Sequence, residues 1–370
     1  GVHVHYLNIG QPDIPTPEIA LQAVKKANIK VIEYSHSAGN KSFRTKLVEY
    51  YSKFSINLGT EDIIITTGGS EAILIGFLVC LNPGDEVLVP EPFYANYISF
   101  AKAASASIKT IPTTIEEGFA LPPISTFENY ITEKTKAIMI CNPGNPTGKI
   151  YSRQELEQIK EIVKKHNLFL FADEVYREFC YEQKTPLSVM QLEGIEENVI
   201  LIDSISKRYS MCGSRIGTLI SRNKSVIDTA LKFAQARLSP PTYGQIAGEA
   251  AVDTPQSYFD EVKAEYIQRR DLVSDALSKM KGVVFSKPQG AFYIMAKLPV
   301  DSAENFCIWL LKEFQHNGET VMFAPGNGFY LTKGMGEQEI RIAYVLKLES
   351  LKKAMECLKI ALSQYPGRIK

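Results

Sequence analysis

From residue 62 onward, short apolar runs rich in β-branched residues alternate with longer stretches in which apolar positions recur every three to four residues. That pattern builds βαβ units on a mostly parallel sheet. The runs at 63–67, 86–89, 107–111, 136–141, 168–172 and 199–203 are predicted strands. Several are apolar throughout, as strands must be when helices cover both faces of their sheet. Helical spacing predicts α-helices at 71–81, 95–104, 153–166 and 226–237, the third opening on Ser152 with Glu155 three residues on, a capping box. Past Pro255 a long helical pattern runs to around residue 281, and the segments 291–296, 303–314, 320–323, 340–345 and 348–362 then alternate differently, as a smaller α+β unit would.

Length and composition narrow the picture. At roughly 150 residues per domain, a chain of 370 residues has room for two. The 41 basic and 41 acidic side chains cancel, so no global field draws the chain toward nucleic acid or an anionic bilayer. Hydrophobic residues at 45% and charged ones at 22% are those of a globular protein. The longest apolar stretch, 72–81, stops at Asn82, Pro83 and Gly84; it falls well short of the ~20 residues that cross a bilayer and reads as a buried helix. Cys80, Cys141, Cys180, Cys212, Cys307 and Cys357 form no CxxC pair and suit a reducing compartment. With no charged-then-apolar leader in view, a cytoplasmic location is expected.

Ligands of open α/β sheets bind beyond the carboxyl ends of strands, so the polar residues that follow each apolar run are the candidates. After 63–67 come Gly68, Gly69 and Ser70 ahead of a helix. Free N–H groups and a helix dipole there would favour an anion, although an ordinary glycine turn looks the same. The segment is neither a Walker A loop nor GxGxxG, and G-N-P-T-G-K at 144–149 is one residue short of a P-loop. The turn-rich segment 142–148 presents Asn145 beyond the run 136–141.

Asp173 ends the run 168–172, where a carboxylate needs a partner or takes up a proton. It reads either as a helix N-cap or as the partner of a protonated ring nitrogen; at ~4 Å and an effective dielectric near 20 the attraction is about 4 kcal/mol, roughly three pKa units. After 199–203 come Ser204, Ser206 and Lys207, with Arg215 eight residues on. A lysine beyond a buried strand, with an arginine to depress its pKa, is what a Schiff-base amine requires. The same residues satisfy Ser-x-x-Lys of the penicillin-binding proteins and β-lactamases, but the Lys-Thr-Gly and Ser-Asp-Asn segments that chemistry needs do not occur. Arg341 shares a strand face with Ala343 and Val345 and reads as a sheet-edge residue or a buried anion clamp. His3 and His5 alternate near the start without a third metal ligand.

Taken together and in order, Asn145-Pro146-Thr147-Gly148, Asp173-Glu174-x-Tyr176 and Ser204-x-Ser206-Lys207 with the following Arg215-Ile216-Gly217 resemble the fold-type I pyridoxal-phosphate aminotransferases, class I/II, of the aspartate aminotransferase superfamily. The resemblance spans Leu7 to around Leu362. It implies an α/β fold with a large cofactor-binding domain at 34–258, built on a mixed, mostly parallel sheet of seven-stranded type between helices. It further implies a smaller α+β domain at 259–370, with an N-terminal segment, 1–33, packing against it.

The implied cofactor is pyridoxal 5′-phosphate. The implied activity is transfer of an amino group between an L-amino acid, aspartate-type foremost with aromatic or alanine alternatives, and a 2-oxo acid such as 2-oxoglutarate, by a ping-pong aldimine/ketimine cycle in a homodimer. By the resemblance Lys207 holds the cofactor and shuttles a proton, Asp173 pairs with the pyridine nitrogen, Asn145 and Tyr176 bond the ring 3-oxygen, and Tyr94 stacks on the ring. Gly69, Ser70, Ser204 and Arg215 hold the phosphate, joined by Tyr34 of the partner subunit. Arg341, the Gly10 backbone and Asn145 take the substrate α-carboxylate.

The chain departs from the family pattern at several positions. Ala234 stands where the dicarboxylate branch carries an arginine, leaving Arg237, Lys109, His36 or Lys41 as candidate readers of a distal carboxylate. Ser214 replaces the aromatic residue before the arginine, and Arg208 rather than a small residue follows Lys207. A cysteine-sulfur β-lyase would keep Lys207, Asp173 and Arg341. A cofactor-binding regulatory module is a further alternative, although no basic helix-turn-helix precedes the domain.

Overall fold

The structure, a computed structural model, describes residues 1–182 and 186–369. The chain opens with β1 (His3–Tyr6), α1 (Glu18–Lys26) and α2 (Lys41–Ser52). It continues through β2 (Ile63–Thr66), α3 (Gly68–Cys80), β3 (Glu86–Glu91), α4 (Tyr97–Ala103), β4 (Ser107–Pro112), α5 (Ile124–Glu128), β5 (Thr135–Cys141) and α6 (Arg153–His166). Next come β6 (Phe169–Asp173), β7 (Val199–Ser204), α7 (Ile205–Arg208), β8 (Gly217–Ile220), α8 (Lys224–Arg237), α9 (Thr242–Ala251) and α10 (Gln256–Ser278). The last part holds β9 (Val284–Phe285), β10 (Tyr293–Lys297), α11 (Ala303–Lys312), β11 (Glu319–Met322), β12 (Ala324–Pro325), β13 (Glu339–Ala343) and α12 (Leu348–Gln364).

The large sheet has the order β2-β8-β7-β6-β5-β3-β4, with β8 antiparallel to both neighbours and every other pairing parallel. This is the mixed, mostly parallel seven-stranded sheet that was expected. Its strands alternate between two cores: Ile63, Ile65, Ile138, Ile140 and Leu170 pack with Phe43, Tyr51 and Leu156, whereas Ile64, Ala137, Met139 and Phe171 pack with Phe77 and Ala230. Burial on both faces is why these runs lack polar positions. β3 runs through Pro90 to Glu91, two residues beyond the predicted strand; its pairing with β5 stops at Leu88, so Pro90 has a strand neighbour only in β4.

The helix at 153–166 opens as the capping box predicts: Glu155 N–H donates to Ser152 Oγ (3.2 Å) and Ser152 N–H to a Glu155 carboxylate oxygen (2.7 Å). It ends at Asn167, which is left-handed at φ 48°. β8 was not anticipated. It is four residues long and follows β7 through a reversal in which Arg215 is itself left-handed, φ 54°, so no crossover helix announces it.

The second unit carries the antiparallel sheet β12-β13-β10-β9, while β1 pairs in parallel with β11. Leu7 belongs to this unit's core, and Asp13 bridges to Arg269 of α10 at 2.6 Å. Ala20 of α1, by contrast, belongs to the core on one face of the large sheet, so the N-terminal segment divides between the two units. The expected boundary after residue 258 falls inside α10, where the Phe259 ring meets Tyr209 at 5.8 Å. His5 Nε2 lies 3.4 Å from Glu319, and the described residues contain no metal-holding cluster of three or more ligands. No helix among them is long and apolar enough to cross a membrane, and all six cysteines are free thiols.

Candidate active site

Because β2 runs parallel to β7 with antiparallel β8 between them, the carboxyl ends of β2, β5, β6 and β7 lie on one edge of the sheet. Beyond that edge is a cavity of about 410 Å³. Gly10, Gly69, Ser70, Tyr94, Asn145, Asp173, Tyr176, Ser204, Lys207, Arg215 and Arg341 all line it. Asn8, which lines it too, touches Arg341 across 333 positions of chain, so the site exists only through the fold. Tyr34 does not line the cavity; it is 77% exposed.

One end of the cavity is built for an anion. Gly68, at φ +81°, lets α3 start directly off β2, so Gly68, Gly69 and Ser70 form the first helical turn rather than a separate glycine loop. A side chain at Gly68 would overlap the Arg215 guanidinium, and one at Gly217 would overlap the backbone of Gly68 and Gly69. These close approaches set Arg215 against the unsatisfied N–H groups of the helix start, which favour negative charge. Arg215 Nη1 donates to Cys212 O at 2.9 Å. Ser204 Oγ accepts the Ser206 N–H (3.1 Å) and lies 2.9 Å from Ile216 O, capping the single-turn α7.

In the middle of the cavity a buried acid faces a half-buried amine. Asp173 Oδ2 accepts the Tyr97 hydroxyl at 2.8 Å, and Oδ1 accepts the Val175 N–H at 3.3 Å. Burial pushes the carboxyl up to about 6 despite these donors. Asp173 ends a strand and enters a turn, so it does not cap a helix. Lys207 Nζ donates to Gly10 O (2.9 Å) and sits 3.8 Å from Cys212 Sγ. Burial, with the Arg215 charge adding to it, holds its amine below the usual lysine range.

At the far end stands Arg341. β13 is an inner strand, between β12 and β10, and Arg341 is 8% exposed, which removes the sheet-edge reading. Its Nη1 donates to Asn145 Oδ1 (3.1 Å) and its Nη2 to Asn8 O (2.6 Å). The guanidinium lies 4.7 Å from the Tyr293 ring and 4.8 Å from the Phe329 ring. Its Nε is buried without a partner, a costly condition for a charged donor that an incoming carboxylate would relieve.

Tyr97, Tyr293, Phe329, Asn8 and Cys212 are functional neighbours that sequence reasoning missed. Tyr97 was detectable, since it opens α4 three residues after Tyr94, and the two rings meet edge to face at 5.4 Å. Tyr293 was not: it reaches Arg341 because Met295 pairs opposite Arg341 across β10 and β13, placing Tyr293 diagonally on the same face. Its hydroxyl is 2.9 Å from that of Tyr176. The candidate distal readers do not line the cavity in this chain. Arg237 donates to Ser37 O and Ile65 O, Lys109 is on the edge strand β4, and His36 and Lys41 are exposed. Ala234 is buried in the core.

A cavity that offers an anion cradle, a depressed amine beside a buried acid, and an arginine clamp is a site for covalent chemistry on an amino acid. The chain matches the family "Aminotransferase class I and II" over residues 2–358. It is 33% identical over 362 residues to an aspartate aminotransferase of Pyrococcus horikoshii, covering 96% of this chain and 90% of that protein. It is 32% identical to aromatic-amino-acid aminotransferase 2 of Thermococcus litoralis, covering 97% and 91%. The crystal structure of an aromatic aminotransferase from Pyrococcus horikoshii superposes with a TM-score of 0.90 at 31% identity, over 98% of this chain and 96% of that one. The chain belongs to the class I and II aminotransferases: it is a transaminase of the fold-type I architecture, in a family whose members use pyridoxal phosphate.

Proposed function

We propose that this cavity holds pyridoxal 5′-phosphate, with Lys207 as its attachment point, and that the chain transfers amino groups between an L-amino acid and a 2-oxo acid. One observation carries the cofactor assignment: Asp173 is buried and in no ion pair among the described residues, opposite a half-buried amine and beside an anion cradle. A carboxylate so placed calls for a cationic heterocycle. When bound, the cofactor supplies an electron sink for the substrate Cα carbanion.

The remaining work falls to the chain. Gly69, Ser70, Ser204 and Arg215 would bind the phosphate, and Asp173 would hold a proton on the ring nitrogen. Asn145 and Tyr176 would hydrogen-bond the ring oxygen, and Tyr94 would pack on the ring. Arg341 receives the α-carboxylate with Asn145 and the Gly10 backbone, turning the Cα proton toward Lys207. Lys207, its amine depressed by burial, would accept that proton at Nζ and hold it for return.

Aspartate-type donors remain our first assignment for the substrate, with aromatic donors or alanine next and 2-oxoglutarate as acceptor. Since Arg237, Lys109, His36 and Lys41 stand away from the cavity, a distal carboxylate would be read by a second copy of the chain. A homodimer is supported by the exposed run Val31, Ile32 and Tyr34, at 68%, 62% and 77%, from which Tyr34 of the partner subunit would reach the phosphate. The six free thiols fit a cytoplasmic setting.

The test is direct. Borohydride added to the chain with pyridoxal phosphate should fix the cofactor on Lys207, read by peptide mass spectrometry. In a separate, unreduced sample, single-turnover mixing with amino acid alone should stop at the amino form of the cofactor until a 2-oxo acid is added. Failure to label Lys207 would overturn the assignment, and sustained release of pyruvate and ammonia from cysteine-type donors would replace transfer by β-elimination.

A further inference from the structure

A group of arginine, carboxyl and tyrosine side chains lies directly beneath the site and takes no part in the chemistry above. Arg208, the residue after Lys207, is 3% exposed. Its Nη2 donates to Asp203 Oδ2 at 2.5 Å, its Nε lies 3.5 Å from Glu178, and its guanidinium sits 4.3 Å over the Tyr50 ring. Asp203 Oδ2 also accepts the Tyr51 hydroxyl (2.5 Å), while Asp203 Oδ1 accepts the Ser204 N–H (2.7 Å).

Stability alone does not account for this arrangement. Well-packed apolar residues of similar volume commonly replace a buried ion pair at no net cost. What distinguishes this pair is its attachment to α7, which spans only Ile205–Arg208. One helical turn has too few backbone hydrogen bonds to hold itself, so side-chain anchors must set its rotation. Arg208 points down into the core on one side of the turn, and Lys207 points into the cavity on another. The same Asp203 that grips Arg208 fixes the N–H of Ser204, whose hydroxyl caps the turn at Ser206 and reaches Ile216, next to Arg215.

We propose that Arg208 is a positioning residue: by clamping Asp203 it fixes the rotation of α7 and the backbone of Ser204, and so aims Lys207 and the anion cradle at the cofactor. The proposal rests on Lys207 being the attachment point.

The test measures pyridoxal phosphate affinity by titrating the cofactor-free chain, alongside its melting temperature. Arg208→Met should weaken cofactor binding about tenfold and slow borohydride-trappable capture on Lys207, and Arg208→Lys, which keeps one charged donor to Asp203, should return affinity to within about threefold of wild type. Tyr51→Phe, which removes the other donor to Asp203 Oδ2 without changing the shape of the core, should weaken binding about threefold and carries the test if Arg208→Met does not fold. Leu358→Ala, which opens a cavity in the other unit's core, supplies a destabilised control and should leave affinity within about twofold. A purely structural Arg208 would lower the melting temperature and leave cofactor affinity unchanged in all three site variants; that result overturns the proposal. A wild-type chain that takes up no cofactor would overturn the attachment reading instead.

Discussion

Replacing Asp173 by Asn in the cofactor-free chain should make it more stable, and increasingly so as the pH rises. Burial moves the Asp173 carboxyl from 3.8 to about 6. Between those values the native chain keeps a proton that the unfolded chain has lost, so stability falls as pH rises through the window and the full cost persists above it. A shift of about two units corresponds to about 3 kcal/mol. The substituted carboxamide has nearly the same shape as the carboxylate, can still bond the Tyr97 hydroxyl, and does not titrate. Glu174, pushed up to about 7 by burial, is common to both proteins and cancels in the comparison. Urea unfolding of both cofactor-free chains at pH 4 and pH 7.5, at one ionic strength, should therefore show the variant gaining up to about 3 kcal/mol on the wild type. A difference that is flat with pH, or that favours the wild type at pH 7.5, would show that no charge is buried at Asp173. Adding pyridoxal phosphate should then reverse the ranking, because only the wild type can pair with a protonated ring.

Two more expectations follow from the same geometry. Arg341→Ala should raise the KM for the amino acid by about 10²-fold with a smaller change in kcat, and Arg341→Lys should recover only part of it because a point charge cannot replace a two-pronged clamp; steady-state kinetics with saturating 2-oxo acid separates the two parameters. Gly10→Ala would drive a methyl group into the Tyr293 hydroxyl and the ring edge behind it, costing about 1–3 kcal/mol and raising KM, and adding Tyr293→Phe should relieve only part of both in a double-mutant cycle, because Phe keeps the ring atoms that the methyl meets.

The strands and the site were legible in the sequence to different depths. β2, β3, β5, β6 and β7 showed because both faces of the sheet are buried, which leaves each run mostly apolar, the edge strand β4 showed by its β-branched residues although it keeps Ser107, Lys109 and Thr110, and α6 showed because its capping box is local. α2, α9 and β8 went unnoticed: α2 carries charge among its buried positions, α9 is rich in small residues, and β8 is four residues after a tight reversal. The chemical residues at strand ends, Asn145, Asp173, Ser204 and Lys207, could be found because a parallel sheet delivers its loops to one edge.

The identities of the acid, the amine and the anion cradle, and the sheet that carries them, were thus written in local pattern and spacing. The fold alone decided that Arg341 is buried on an inner strand between Tyr293 and Phe329, that Gly10 arrives at Lys207, and that Arg208 grips Asp203 beneath the floor. Those contacts depend on strand register and on the packing of distant segments, and neither leaves a periodic trace along the chain.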